Sequence, residues 1–78
     1  MPTNPRTKLK KTLANSLHNL DKTVYGLITL YDTFGEGHPE FQEYLDVQIT
    51  ALLHVKEMML DLWARAWGTR PDDYEAWR

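Results

Sequence analysis

From Leu13 onward the large apolar residues recur as Leu13, Leu17, Leu20, Val24, Leu27, Tyr31 and Phe34. Steps of four and three put one stripe along a helix and match no strand. A second series, Phe41, Leu45, Gln48, Leu52, Val55, Met59, Leu62 and Ala66, has the same spacing. Between the two, Gly35-Glu36-Gly37-His38 breaks the period. Pro5 follows Asn4 and Pro39 follows His38, positions where a first helical turn has no use for the missing N–H. Glu40 then stands beside the positive end of the second helix dipole, and Gly68 followed by Pro71 ends that helix. The pattern predicts an all-α chain with one domain over residues 1–78: helix 1 at about 5–34, a loop at 35–38, helix 2 at about 39–67 and a tail at 68–78. A link of about four residues makes successive helices antiparallel neighbours, so the expected architecture is a long helical hairpin with arms of ~43 Å.

The apolar pattern of helix 2 is too broad for that hairpin alone. Across VKEMMLDLWARAW, residues 55 to 67, apolar side chains sweep an arc of roughly 200°, wider than one neighbouring helix hides. Ile49, Leu53, Leu60, Trp63 and Trp67 form a second flank, and Ile28 and Leu30 broaden the stripe of helix 1. Each Leu, Ile or Met left in water forgoes ~1.5–3 kcal/mol of burial. The flank therefore predicts a homo-oligomer, most simply a two-fold homodimer in which two hairpins build a four-helix bundle. The competing expectation is a monomer whose tail covers the excess. Pro71 with Asp72, Asp73 and Glu75 fits one short turn, and Tyr74 and Trp77, three apart, are spaced to fold back together; a frayed end is the alternative.

Two polar or small residues interrupt the stripes. Gln48 falls in the predicted seam, where an amide must find a partner and can set register or oligomeric state. Gly26 in mid-helix costs ~1 kcal/mol relative to alanine, which points either to close approach of another backbone or to a neutral position on the polar side.

Composition narrows the class. The chain has 78 residues, 42% hydrophobic and 26% charged, with a net charge of −2 and no cysteine. A core of this size is only marginally stabilising, and without disulfides the remaining aids are metal or association. The lack of cysteine fits a reducing, cytoplasmic setting. No apolar run reaches the ~18 residues of a membrane span, and MPTNPRTKLKK has no apolar segment behind it of the kind a leader requires. A soluble, unprocessed protein without a membrane association is expected.

Candidate chemistry is thin. Ser16 is the only serine and lacks a GxSxG context, and Gly26, Gly35, Gly37 and Gly68 form no phosphate loop. His54, Glu57 and Asp61 share a helix face and offer nitrogen and carboxylate oxygen to a divalent ion, but the face also holds Glu43 and Thr50 and reads as solvated. The run Met58, Met59, Leu60, Leu62, Trp63 is similar in flavour to the second helix of the encapsulated-ferritin type of ferritin-like protein. That resemblance implies a metal-binding bundle with Glu-x-x-His on helix 2 and an inward glutamate on helix 1. Here helix 1 has no glutamate, and His54-Val55-Lys56-Glu57 reverses the order. No cofactor, metal site or enzymatic activity is expected.

Two binding features remain. Arg6, Lys8, Lys10 and Lys11 make a basic N-terminal arm, which raises association with nucleic acid as an alternative. Aromatics are not interleaved with it, and an antiparallel hairpin brings the acidic tail close to it, so the nucleic-acid reading ranks behind protein partners. Near the other terminus Trp63, Trp67, Tyr74 and Trp77 cluster with Arg65, Arg70 and Arg78. Arg65, Arg70, Tyr74 and Trp77 are candidate partner-binding residues, since Trp, Tyr and Arg anchor interfaces most often; the alternative is that the rings close the open end of the bundle. The expected function is that of a small non-enzymatic regulator, adaptor or inhibitor acting through self-association and protein-protein interaction.

Overall fold

The structure, a computed structural model, describes residues 5–71 and residue 74. Among these, helix α1 (Pro5–Phe34) and helix α2 (Pro39–Trp67) are joined by a 3₁₀ turn, Gly35–Gly37, into an antiparallel hairpin 56 Å long. The turn starts at Gly35, whose φ of +47° lies in the left-handed region that favours glycine. At His38 the chain is reset, and its carbonyl accepts the N–H groups of Phe41 and Gln42 at 3.1 and 3.2 Å to open α2. Helix α2 closes on Gly68, at φ +86°, whose N–H donates to the Ala64 carbonyl at 2.8 Å. Rings fasten the turn: Phe41 lies 5.1 Å from both Phe34 and His38, centroid to centroid. Gln42 Nε2 donates to the Tyr31 carbonyl at 3.1 Å, satisfying one of the orphan acceptors at the end of α1.

The seam of α1 follows the predicted stripe: Leu17 and Val24 are buried, with Leu13, Leu20, Leu27, Tyr31 and Phe34 half-buried beside them. The seam of α2 departs from expectation. It runs through Gln42, Leu45, Ile49, Leu52, Lys56, Met59, Trp63 and Trp67. Phe41, Gln48, Val55, Leu62 and Ala66, expected in it, are exposed. The helix is rotated so that each of these yields to the residue after it. The physical reason lies at the open end, where Trp63, 2% exposed, packs on Ala14 and Leu17 with Met59, Leu60, Trp67 and Tyr74 around it. An indole buries far more apolar area than Leu62 or Ala66 can, so the two tryptophans take the seam. Lys56 does not prevent this, because its stem lies in the seam while its Nζ reaches Asp21 Oδ1 at 2.8 Å.

Two expectations are corrected accordingly. Trp63 belongs to the core of a single hairpin and not to a free flank; Ile49, Leu60 and Trp67 are half-buried, and only Leu53 of the five expected flank residues is exposed. Gln48 is an exposed residue in the hairpin, and the polar residues that α2 places in the seam are Gln42 and Lys56. Of the two readings of Gly26, the hairpin agrees with the neutral position, since a Cβ built there meets nothing within 4 Å.

Candidate functional site

The seam geometry defines two faces of the hairpin. Each residue turns the helix by 100°, so the residue before each seam position emerges about a right angle away. Because the helices run in opposite directions, these preceding residues come out on the same side of the hairpin. On α2 they are Phe41, whose ring is held against Phe34 and His38 at the turn, and then Tyr44, Gln48, Ala51, Val55, Met58, Leu62 and Ala66; on α1 they are Leu9, Thr12, Ser16, Asn19, Thr23, Gly26, Leu30 and Thr33. A shallow groove lined by Leu9, Thr12 and Ser16 from α1 and Leu62 and Ala66 from α2 places both rows on one side directly.

All sixteen positions are exposed, and none carries Asp, Glu, Lys, Arg or His. In a chain that is 26% charged, such a row is not the composition of a solvated face. Its larger side chains stand well out: Tyr44 is 70% exposed, Met58 60% and Leu62 55%, with Val47 at the margin. The hydroxyls on α1 are turned back on their own helix. Thr12 donates to the Lys8 carbonyl at 3.0 Å, Ser16 to Thr12 at 2.9 Å, Thr23 to Asn19 at 3.0 Å and Thr33 to Thr29 at 2.8 Å. With these donors already satisfied, the row can be covered without stranding them.

The residues one or two places after the seam positions form the opposite face and its outer edge, which have a different character. They include Lys11, Lys22 and Asp32 on α1 and Asp46, Glu57 and Asp61 on α2, with Tyr25, Ile28 and Leu53 among them. The tail returns to this side. Arg70 Nη2 meets Glu57 Oε2 at 3.0 Å and Oε1 at 3.3 Å, and Lys56 Nζ lies 5.8 Å from the centre of the Tyr74 ring. Tyr74 is half-buried against the core. Among the described residues, Arg70 and Tyr74 therefore lie over part of the charged face.

The remaining candidates fall as follows. Trp63 and Trp67 meet edge to face at 5.2 Å, and Lys10 Nζ lies 5.7 Å above Trp67, so these rings line the open end together with Tyr74. Arg65 Nε bonds Asp61 Oδ2 at 2.8 Å within one helix turn. Lys8 and Lys11 are exposed. Trp77, Arg78, Asp72, Asp73 and Glu75 lie outside the described residues, as does the side chain of Arg6. Glu57 and Asp61, considered above as metal ligands with His54, each face an arginine, and among the described residues no group of three His, Asp or Glu is gathered to hold a metal ion. No helix among the described residues is long and apolar enough to cross a membrane.

In the sequence alone Gln48, Val55, Leu62 and Ala66 read as seam residues, which conceals the uncharged face. The signal that finds it is the second heptad row, one residue upstream of Ile49, Lys56, Trp63 and Trp67. Comparison of the chain with protein-family models, with curated proteins and with solved structures gave no match.

Proposed function

We propose that the protein works by contact and not by catalysis: hairpins self-associate through the uncharged face, and the resulting four-helix assembly serves as a small regulator, adaptor or inhibitor of other proteins. The observation that carries this reading is the uncharged, exposed row from Tyr44 to Ala66 with its neutral counterpart on α1. Each helix of a square four-helix bundle touches two neighbours about 90° apart. The two apolar rows of α2, one on the seam and one a single 100° step before it, have the divergence that such a corner requires. Size agrees as well. The row from Tyr44 to Ala66 rises ~33 Å; over a hairpin 22 Å wide it offers on the order of 700 Å², near the ~800 Å² per partner of a stable interface.

The test is a doubly charged variant, Met58→Glu with Leu62→Glu. Both side chains are exposed in the hairpin, so the fold tolerates the change, while two carboxylates at the centre of an interface are costly. At tens of micromolar the unaltered protein is expected to scatter as a dimer and the variant as a 9.2 kDa monomer with the same far-ultraviolet helical signal. A variant that keeps the mass of the unaltered protein overturns the assignment of this face.

A further inference from the structure

Resting on the reading of the uncharged face as the self-association surface, we propose that two copies stack head to tail: α2 lies on α2 and α1 on α1, about a two-fold axis that crosses the helices at right angles near Val55. Two face-to-face arrangements have two-fold symmetry. In one, the turns of both hairpins lie at the same end and α2 of each copy packs on α1 of the other. In the second, the turns lie at opposite ends and like helices meet.

Charge distribution selects the second. From Thr23 to Val55 the chain carries Asp32, Glu36, Glu40, Glu43 and Asp46 and not one Lys or Arg, so the half containing the turn is −5. Residues 5–22 and 56–71 hold eight Lys or Arg against Asp21, Glu57 and Asp61, or +5, which the tail sequence beyond them, Asp72, Asp73, Glu75 and Arg78, lowers to +3 for the remainder of the chain. Stacking with the turns together sets like halves against each other, whereas head-to-tail stacking sets each negative half against a positive one.

The register agrees independently. Beyond Phe41, which packs in the turn, the uncharged row of α2 runs from Tyr44 to Ala66 and is centred on Val55, and that of α1 runs from Leu9 to Thr33 and is centred on Asp21. The 2.8 Å ion pair of Lys56 with Asp21 shows that these two centres lie at the same height along the hairpin. One axis at that height therefore bisects both rows. Most pairs then set a larger side chain against a smaller one across it, Gln48 opposite Leu62 being the exception. Tyr44 meets Ala66 of the second copy, Ala51 meets Met58, Leu9 meets Thr33 and Leu30 meets Thr12, while Ser16 faces Gly26, where a Cβ has open space in the single hairpin. Large against small is the pattern that fills a helix interface without voids.

The protein contains no cysteine, so single replacements report orientation cleanly. Disulfides need Cα atoms about 4.4–6.8 Å apart. Val55→Cys is therefore expected to oxidise to a covalent dimer, since Val55 sits at the axis and faces its own copy. Tyr44→Cys and Ala66→Cys are each expected to resist bridging alone and to form a mixed disulfide when combined. Between about 0.05 and 0.5 M salt the dissociation constant of the unaltered dimer should rise roughly tenfold, as screening removes the attraction between opposite halves. A dimer that gives no Val55→Cys bridge and tightens with salt overturns the head-to-tail arrangement but leaves self-association standing. A protein that stays monomeric at tens of micromolar overturns both.

Discussion

The two faces of this hairpin lie on the same pair of helices, separated by about half a turn, and they obey different rules. The face after the seam mixes Lys11, Lys22, Asp46, Glu57 and Asp61 with a few apolar side chains, and the tail lies across part of it through Arg70 and Tyr74. The row before the seam carries no charged residue, with Glu40 and Glu43 beside Tyr44 and Gln48 only at its turn end, and its Thr12 and Ser16 hydroxyls are bonded back to their own helix. Exposed apolar residues occur on both, so exposure alone does not distinguish an interaction surface. Continuity does: Tyr25, Ile28 and Leu53 are isolated among charges, whereas Val55, Met58 and Leu62 are successive members of one row.

The sharpest way to break the comparison is to change adjacent residues that belong to different environments. Trp63→Ala removes the buried indole that sets the rotation of α2 and should destabilise the fold by about 3–5 kcal/mol in urea or thermal unfolding. Leu62→Ala, one residue earlier and on the open face, should cost under ~1 kcal/mol in protein dilute enough to be monomeric, where it has little burial to lose. Equal losses at the two positions would mean that the seam has been placed wrongly.

Gly26→Ala offers a smaller and two-sided effect. The added methyl meets nothing in the single hairpin, so helix propensity should raise the stability of the dilute protein by up to ~1 kcal/mol. At concentrations where dimers form, the gain should shrink as the methyl crowds Ser16 of the second copy. Smallest of all is Arg70→Ala. Its ion pair with Glu57 is exposed, with side chains 53% and 67% accessible, and its removal should cost no more than ~1 kcal/mol and leave the molecular mass unchanged. A change of mass would place the tail in the interface.

The hairpin itself was readable from sequence because each boundary is marked by a residue with a local physical reason. Pro5 and Pro39 can open a helix but not continue one, and Gly35 and Gly68 adopt the left-handed backbone that closes one. The stripe of α1 was readable too, since Leu17 and Val24 have no comparable apolar neighbours competing for the seam. On α2 two rows compete. Counting apolar residues favours Phe41, Leu52, Val55, Met59 and Leu62 over a row that includes Lys56, and that count hid the outcome. What decides is long-range: Asp21, thirty-five positions away, receives the Lys56 ammonium at 2.8 Å, and Ala14 and Leu17 leave room for the indole of Trp63. Periodicity within one helix carries neither fact. The width of the apolar arc of α2 did show that one helix could not cover it, although not which side would be left.

Sedimentation equilibrium of the unaltered protein across a concentration series, from below one micromolar to several tens, tests the central claim most directly. Association through the open face predicts a reversible rise from 9.2 kDa to twice that mass and no further, because a two-fold contact closes on itself. A mass that stays at the monomer value throughout would contradict it.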